Sequence, residues 1–278
     1  MRLLLWKGHQ KTPEVVVMTA IELTKEQALQ ASADSDVKAL QRFLVQLGQE
    51  ETPKALDEPA EMGSSAWTKR TVNETLDSLF RHAIENSALS SIQALLTSTV
   101  ICQISDTKRR GMMASALRLA IEEDDPEIVT CLLDHGAPFN AALPDDEDEG
   151  HSVRPLTLAT RFGAIEIVEL LVTRGADVTA CDESEGRTAL HHAAWHNECE
   201  LIRLLVRHGA LVDAIDERHG ETPLHVAIKR GHSKAVATLL ECRANVHLAN
   251  RLGSQPTHLA RVEGQHVIVE MLQGAGGR

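Results

Sequence analysis

The sequence predicts an all-α fold, a solenoid of helix-turn-helix hairpins stacked on one another with short hairpin loops between the repeats. Two markers recur at an interval of 34 residues. One is a leucine and the other is a dipeptide that ends in alanine: Leu156, Leu190 and Leu224 for the first, and Gly175-Ala176, Gly209-Ala210 and Arg243-Ala244 for the second. Unrelated markers that keep one register predict successive copies of a single structural unit.

Each unit opens with a predicted short helix. In one unit Thr222 precedes Pro223, so that a hydroxyl stands where a helix cap belongs and a proline stands at the first helical position. Thr188 occupies the matching place in the preceding unit. Small residues follow, and then a glycine or polar break. We expect the first helix of each hairpin to begin just after these threonines.

A second helix is predicted after the break, because apolar residues recur there at helical spacing. These residues are Ile165, Ile167, Val168, Leu170 and Leu171 in one unit, Leu201, Ile202, Leu204 and Leu205 in the next, and Val236, Leu239 and Leu240 in the third. Gly175 and Gly209 are expected to end these helices as left-handed caps. A hairpin of this length cannot bury its apolar stripe alone, so the units must stack on their neighbours.

Four segments in one register resemble the T-P-L-H-x-A motif of the ankyrin repeat family, whose unit is a turn with two antiparallel helices of about 33 residues. Residues 222–227 match the motif completely, and residues 188–193 depart from it only by Ala189 in place of proline. Residues 154–159 and 255–260 keep the register with fewer matches. The resemblance implies an array that presents hairpin tips and first-helix residues as one concave, protein-binding surface.

The same pattern extends upstream. Residues 117–137 predict a further unit, displaced by an insertion at 144–150, while residues 80–96 predict a degenerate unit and residues 31–44 a cap. The expected organisation is a disordered leader at 1–23, degenerate helical or ankyrin-like units at 24–110 with a loop at 48–71, an ankyrin repeat domain of about five repeats at 111–273, and a frayed tail at 274–278.

The charge of the chain limits which classes of partner it is expected to bind. The net charge is -12, and it arises in residues 1–150, which hold 14 Lys/Arg against 25 Asp/Glu, whereas residues 151–278 hold 14 against 15. A negative field repels phosphate, so neither nucleic acid nor an anionic membrane is expected as a partner. Aromatic residues make up only 3% of the chain, which predicts a core of small and aliphatic side chains.

The cysteines and the start of the chain bear on its location. Five cysteines are an odd number without close pairing, which favours a reducing compartment. The apolar run of residues 1–6 is too short for a signal peptide or a spanning helix. We expect an intracellular protein, cytoplasmic or nuclear, that is monomeric and not bound to a membrane.

The resemblance also implies where a partner would bind, because the variable positions follow the conserved-type alanine of each first helix. The candidate protein-binding residues there are Arg161, Phe162, Trp195, His196, Lys229 and Arg230, joined by Glu183, Glu217 and Arg218 at the hairpin tips. Aromatic residues and arginine dominate interface energetics. The alternative is that Phe162 and Trp195 only pack against their own second helices.

Two sets of histidines have the residue type that binds metal ions. His191, His225 and His258 recur with the repeat, and the resemblance implies that each hydrogen-bonds a neighbouring turn. His192, His196 and Cys199 have ligand types suited to zinc, but a turn at 197–198 interrupts their helical spacing. No phosphate loop, nucleophile elbow or dinucleotide motif occurs in the sequence. We therefore expect no catalytic, cofactor-binding or metal-binding residues.

The function predicted from the sequence is that of a non-catalytic scaffold or adaptor that binds a protein or peptide on the concave face. Two alternatives remain open. The array could be a regulatory or inhibitory subunit of a partner enzyme. Residues 1–110 could instead form a domain with its own activity, which the repeats bring to its target.

Overall fold

The computed structural model describes residues 26–49, 65–143 and 153–276, and over these ranges the protein is all-α. Isolated antiparallel bridges join Leu143 to Val153 and Cys181 to Thr188, and no longer strand occurs in the described ranges. The predicted fold class is confirmed. The chain divides into two compact units, Met1–Ser105 and Asp106–Arg278.

The first unit has five helices in its described part. These are α1 at residues 26–33, α2 at Val37–Gln49, α3 at Ser65–Glu85, α4 at Leu89–Leu96 and α5 at Thr99–Gln103. Helix α2 packs against α4 and α5, and α3 packs against α4. The Ser32 hydroxyl on α1 donates to the Leu79 carbonyl on α3 at 3.3 Å. Large buried side chains such as Phe80, Leu40 and Ile92 form the core of this unit.

The second unit consists of five helical hairpins. They are α6 (Asp106–Glu122) with α7 (Pro126–Asp134), α8 (Pro155–Phe162) with α9 (Ile165–Thr173), α10 (Ala189–Trp195) with α11 (Cys199–Arg207), α12 (Pro223–Lys229) with α13 (Ser233–Glu241), and α14 (Pro256–Val262) with α15 (His266–Gly276). Each first helix packs against the first helix of the next hairpin, and each second helix against the next second helix. The apolar stripes are thereby buried between neighbours, as the sequence predicts.

One backbone turn recurs in every hairpin of both units. The first residue after the turn donates its N–H to the carbonyl of an alanine five residues earlier, as in a Schellman motif. The accepting residues are Ala31, Ala83, Ala120, Ala159, Ala193, Ala227 and Ala260. The residue before each donor has a positive φ. Seven hairpins in the described ranges thus share one turn geometry, including the two hairpins of the first unit.

The predicted caps are also present. Thr188 and Thr222 each form a capping box with the histidine three residues on, and Pro223 is in the first turn of α12. Gly175 and Gly209 have positive φ values of 89° and 93°. Arg243 takes the same place after α13 with a φ of 65°, although it carries a side chain.

Several expected boundaries differ from the structure. Of the loop expected at 48–71, residues 48–49 are the end of α2 and residues 65–71 the start of α3, and residues 50–64 fall outside the described residues. Helix α15 runs to Gly276 in place of fraying from residue 274, and its end lies against Val246 and His247. Ile165, Leu170 and Leu240, expected in the buried stripes, are only half-buried, because their neighbours such as Val168 and Leu239 occupy the inner faces of α9 and α13. The expected leader and the insertion at 144–150 fall outside the described residues.

Candidate interaction surface

Three loops before the first helices are shaped by one kind of side-chain hydrogen bond. Asp182 Oδ1 accepts from the backbone N–H groups of Glu185 and Arg187 at 3.0 and 3.1 Å. Asp216 does the same one repeat later, and Asn250 one repeat after that. Burial alone would raise the pKa of Asp182, but bonds from His192 and from the backbone hold that pKa well below its usual range. The loops are therefore preorganised before any partner binds.

Successive loop tips are joined through their backbones. The Glu217 N–H donates to the Glu185 carbonyl at 3.0 Å, and the Arg251 N–H donates to the His219 carbonyl at 2.9 Å. At Gly186 the neighbouring tip is so close that an added Cβ would lie 2.8 Å from the Glu217 backbone nitrogen. The tips therefore present one continuous row of side chains.

Two first helices, α10 and α12, each carry a buried histidine that connects the helix to the next loop. The Thr188 N–H donates to His191 Nδ1 at 3.2 Å, so the imidazole Nε2–H donates to the Glu221 carbonyl at 3.0 Å. His225 repeats this arrangement with Thr222 and with the Ser254 carbonyl. Burial lowers the pKa of His191 to about 4, which keeps the ring neutral. His258 has no following loop in the described chain, and its side chain is exposed.

An open cleft of about 390 Å³ lies between the first helices α8 and α10 and the loop that precedes α10. Its wall is formed by residues of α8 and α10, by Val153 before α8, by His196 directly after α10 and by the loop that precedes α10. The lining residues are Val153, Thr157, Arg161, Asp182, Ser184, Glu185, Arg187, His192, Trp195 and His196.

Trp195 is fixed at the edge of this cleft by two arginines. The Arg230 guanidinium carbon lies 3.3 Å from the centroid of the indole ring, and that of Arg187 lies 4.8 Å from it. Such cation–π contacts contribute roughly 0.5–2 kcal/mol each. The Trp195 carbonyl also accepts from His232 Nε2 at 2.9 Å. The ring is half-buried, and so it is neither a free surface group nor part of the core.

Ion pairs hold most of the charged groups around the cleft. Glu185 bonds Arg187 at 2.6 Å and Arg218 at 2.8 Å, and Glu221 bonds Lys229 at 2.6 Å. The Arg187 Nε lies 3.7 Å from Asp216 Oδ2, an ion pair too long to be a hydrogen bond. Two of these four pairs, from Glu185 to Arg218 and from Arg187 to Asp216, join neighbouring loops.

The histidine-rich sites do not form a strong metal centre. His192 Nε2 donates to Asp182 Oδ2 at 2.8 Å, and Cys199 Sγ donates to the Asn197 carbonyl, so these two candidates have other partners. A different group, Asp216, His219 and Glu221, brings ligand atoms within 4.8 Å of one another. Its two carboxylates already face Arg187 and Lys229, which would repel a bound cation.

The structure brings together some of the predicted surface residues. Arg161, Trp195 and His196 line the cleft, and Arg230 covers the Trp195 ring. Phe162 is the last residue of α8 and is 57% exposed. Among the other predicted residues, Lys229, Glu183, Glu217 and Arg218 have exposed side chains outside the cleft lining.

Sequence reasoning missed Arg187, Asp182 and His192, which also line the cleft. Arg187 stands directly before the capping Thr188, outside both the tip and the positions after the alanine. The available signal for the loop was a repeated spacing: Asp182 stands five residues before Arg187, and Asp216 stands five residues before Glu221.

Comparison with known families decides the classification of this array of hairpins. The family described as "Ankyrin repeats (3 copies)" matches the chain in overlapping segments at residues 79–182, 117–216, 156–250 and 211–276. The chain belongs to the ankyrin repeat family. Ankyrin repeats are protein–protein interaction modules, and no catalytic family is indicated for this chain.

Individual relatives resemble this ankyrin array over part of their length. The chain is 34% identical over 136 residues to the Nuclear factor NF-kappa-B p105 subunit of Gallus gallus, a match that covers 49% of this chain and 14% of that protein. It is 36% identical over 83 residues to the B-cell lymphoma 3 protein of Homo sapiens and to its Mus musculus homolog, covering 30% of this chain and 18% of each relative. The chain thus spans less than a fifth of these relatives.

Membrane insertion is not indicated by the ankyrin helices. Within the described ranges, no helix combines the length and the apolar character needed to cross a bilayer.

Proposed function

We propose that this ankyrin repeat protein is a non-catalytic scaffold or adaptor that binds a protein or peptide along the concave side formed by its first helices and loop tips. The observation that carries the proposal is the cleft between α8 and α10, which a half-buried Trp195 lines; an exposed Phe162, outside the lining, ends the first helix of the preceding repeat. Aromatic anchors beside arginines are typical of protein interfaces.

The rigidity of this side supports the same function. The loops are fixed by Asp182 and Asp216, and their tips are joined by backbone hydrogen bonds. A preorganised surface loses little conformational entropy when a partner binds. Five free cysteines fit a protein that works in a reducing environment, in the cytoplasm or the nucleus.

The proposal is tested by capture of the partner from native cells with the Phe162→Ala/Trp195→Ala variant. An interface anchor contributes about 2 kcal/mol or more, so we expect capture to weaken by about 30-fold or more. The melting temperature should fall only modestly, through loss of the two cation–π contacts of Trp195. The matched control is Leu211→Ala/Val267→Ala, which removes two exposed apolar side chains that do not line the cleft. Equal loss of capture in both variants, or a large fall in melting temperature, would contradict the proposal.

A further inference from the structure

The two acidic residues that line the cleft, and Glu221 near it, already have partners. Asp182 accepts from His192, Glu185 from Arg187 and Arg218, and Glu221 from Lys229. Two arginines differ from this pattern, because Arg161 and Arg230 form no ion pair with any residue that the structure describes. Among the described residues next to the cleft, the cations without an ion pair are therefore these two arginines, while the exposed Glu183 and Glu217 lie at the loop tips outside the cleft lining.

The two arginines act on the same part of the cleft. His196, which lines the cleft, has its pKa lowered by burial and by the nearby His192, Arg161 and Arg230. Burial is the largest cause of this lowered pKa, and the Glu198 carboxylate acts in the opposite direction. Arg161 on α8 and Arg230, directly after α12, thus lie on either side of α10, the helix between these two, which ends at Trp195.

The stacking of Arg230 suits one kind of contact. Its guanidinium carbon lies 3.3 Å from the Trp195 ring centroid, so one face of the guanidinium is covered and its conformation is restricted. The N–H groups of a stacked guanidinium lie in its plane and remain able to bind a carboxylate with two parallel hydrogen bonds. A restricted arginine also loses less entropy on binding than a free one.

We propose that this cleft binds a peptide segment with clustered Asp or Glu side chains, whose carboxylates pair with Arg161 and Arg230 while an apolar side chain of the segment contacts Phe162 and Trp195. This inference rests on the proposed protein-binding function and adds the chemistry of the partner.

The test is fluorescence anisotropy with three labelled probes: a short peptide that alternates Glu and Ala, the same peptide with Gln for Glu, and a single-stranded DNA oligonucleotide. We expect the Glu peptide to bind about 10-fold more tightly than the Gln peptide, and its binding to weaken as salt is added. The Arg161→Gln/Arg230→Gln variant should bind both peptides equally. Equal binding of the two peptides to the unmodified protein, or tighter binding of the DNA, would overturn the inference.

A matched control removes the same charge elsewhere. Arg207→Gln/Lys234→Gln neutralises two exposed cations on the second helices α11 and α13, and it should leave the Glu preference intact. If this variant loses the preference as fully as the cleft variant, net charge alone is responsible and the inference is wrong.

Capture of the native partner separates this inference from the function on which it rests. If Phe162→Ala/Trp195→Ala abolishes capture and Arg161→Gln/Arg230→Gln does not, the acidic preference is wrong and the protein-binding function stands. If neither variant weakens capture, both are wrong. Loss of capture in both, with the Arg207→Gln/Lys234→Gln control unaffected, supports both.

Discussion

At the scale of single residues, two neutral histidines connect the repeats and make the stability of the array sensitive to pH. His191 and His225 each donate to a carbonyl of the next loop, and burial lowers the pKa of both rings. A protonated ring would still have to accept from the threonine N–H at Nδ1, which it cannot do. Protonation of either ring therefore breaks the hydrogen bond from the threonine N–H to Nδ1 and leaves a positive charge buried.

The sign of the pH effect follows from the direction of the shift. The pKa of His191 is about 4 in the folded protein and near 6.5 in the unfolded chain, so between these values the unfolded chain binds more protons. The stabilisation is complete above pH 6.5 and is lost as the pH falls towards 4, at a cost of up to about 3 kcal/mol. Urea unfolding followed by circular dichroism between these pH values measures it.

Histidine substitutions provide the control for this prediction. His191→Gln should flatten the pH dependence, whereas His258→Gln should leave it unchanged, because the exposed His258 contacts no following loop. An unchanged slope in His191→Gln would show that other groups determine the acid sensitivity.

At the scale of elements, the turns between helices account for what the sequence could and could not predict. The T-P-L-H segments and the caps at Gly175 and Gly209 predicted the later hairpins correctly, because these positions restrict the residue type through local backbone geometry. Inside the hairpins, the turns of the earlier units have Ser35, Ser87 and Asp124 at positive φ, where most of the later hairpins have glycine. Non-glycine residues at this conformation leave no strong sequence signal.

The cleft was only partly predictable for a related reason. Arg161, Trp195 and His196 were predicted from their place after each alanine, and they line the cleft. Arg187 lines the cleft with its guanidinium held by Glu185 of its own loop and by Asp216 of the next loop, on which its own loop stacks. Contacts between residues of different repeats depend on how the hairpins pack, and no local pattern encodes them.

The loop tips make a specific prediction about glycine. Gly186→Ala should destabilise the protein by about 2 kcal/mol or more, because its φ is 69° and the added Cβ would meet Glu217 backbone and side-chain atoms at 2.3–2.8 Å. Gly264→Ala has nearly the same φ, 68°, with nothing within 4 Å, and should cost only about 1 kcal/mol. Thermal unfolding of both variants measures the difference. Equal costs would mean that the tips are not in close contact.

At the scale of the whole molecule, the hairpins of Asp106–Arg278 bury their apolar stripes by stacking, and this leaves the loop tips and first-helix ends available on one side. On the side of the second helices, the exposed residues are mainly polar, such as Arg203, Arg207 and Lys234. The proposed function therefore depends on the first helices and the loop tips, which are available to a partner, while the second helices form the other side of the stack.

The most direct test of that function is hydrogen exchange of the backbone amides, measured on the protein alone and in complex with its captured partner. Our account predicts added protection at the ends of α8, α10 and α12 and at the tips 183–187 and 217–220, with little change in α9, α11 and α13. Protection confined to the second helices would place the partner on the opposite side and contradict the account.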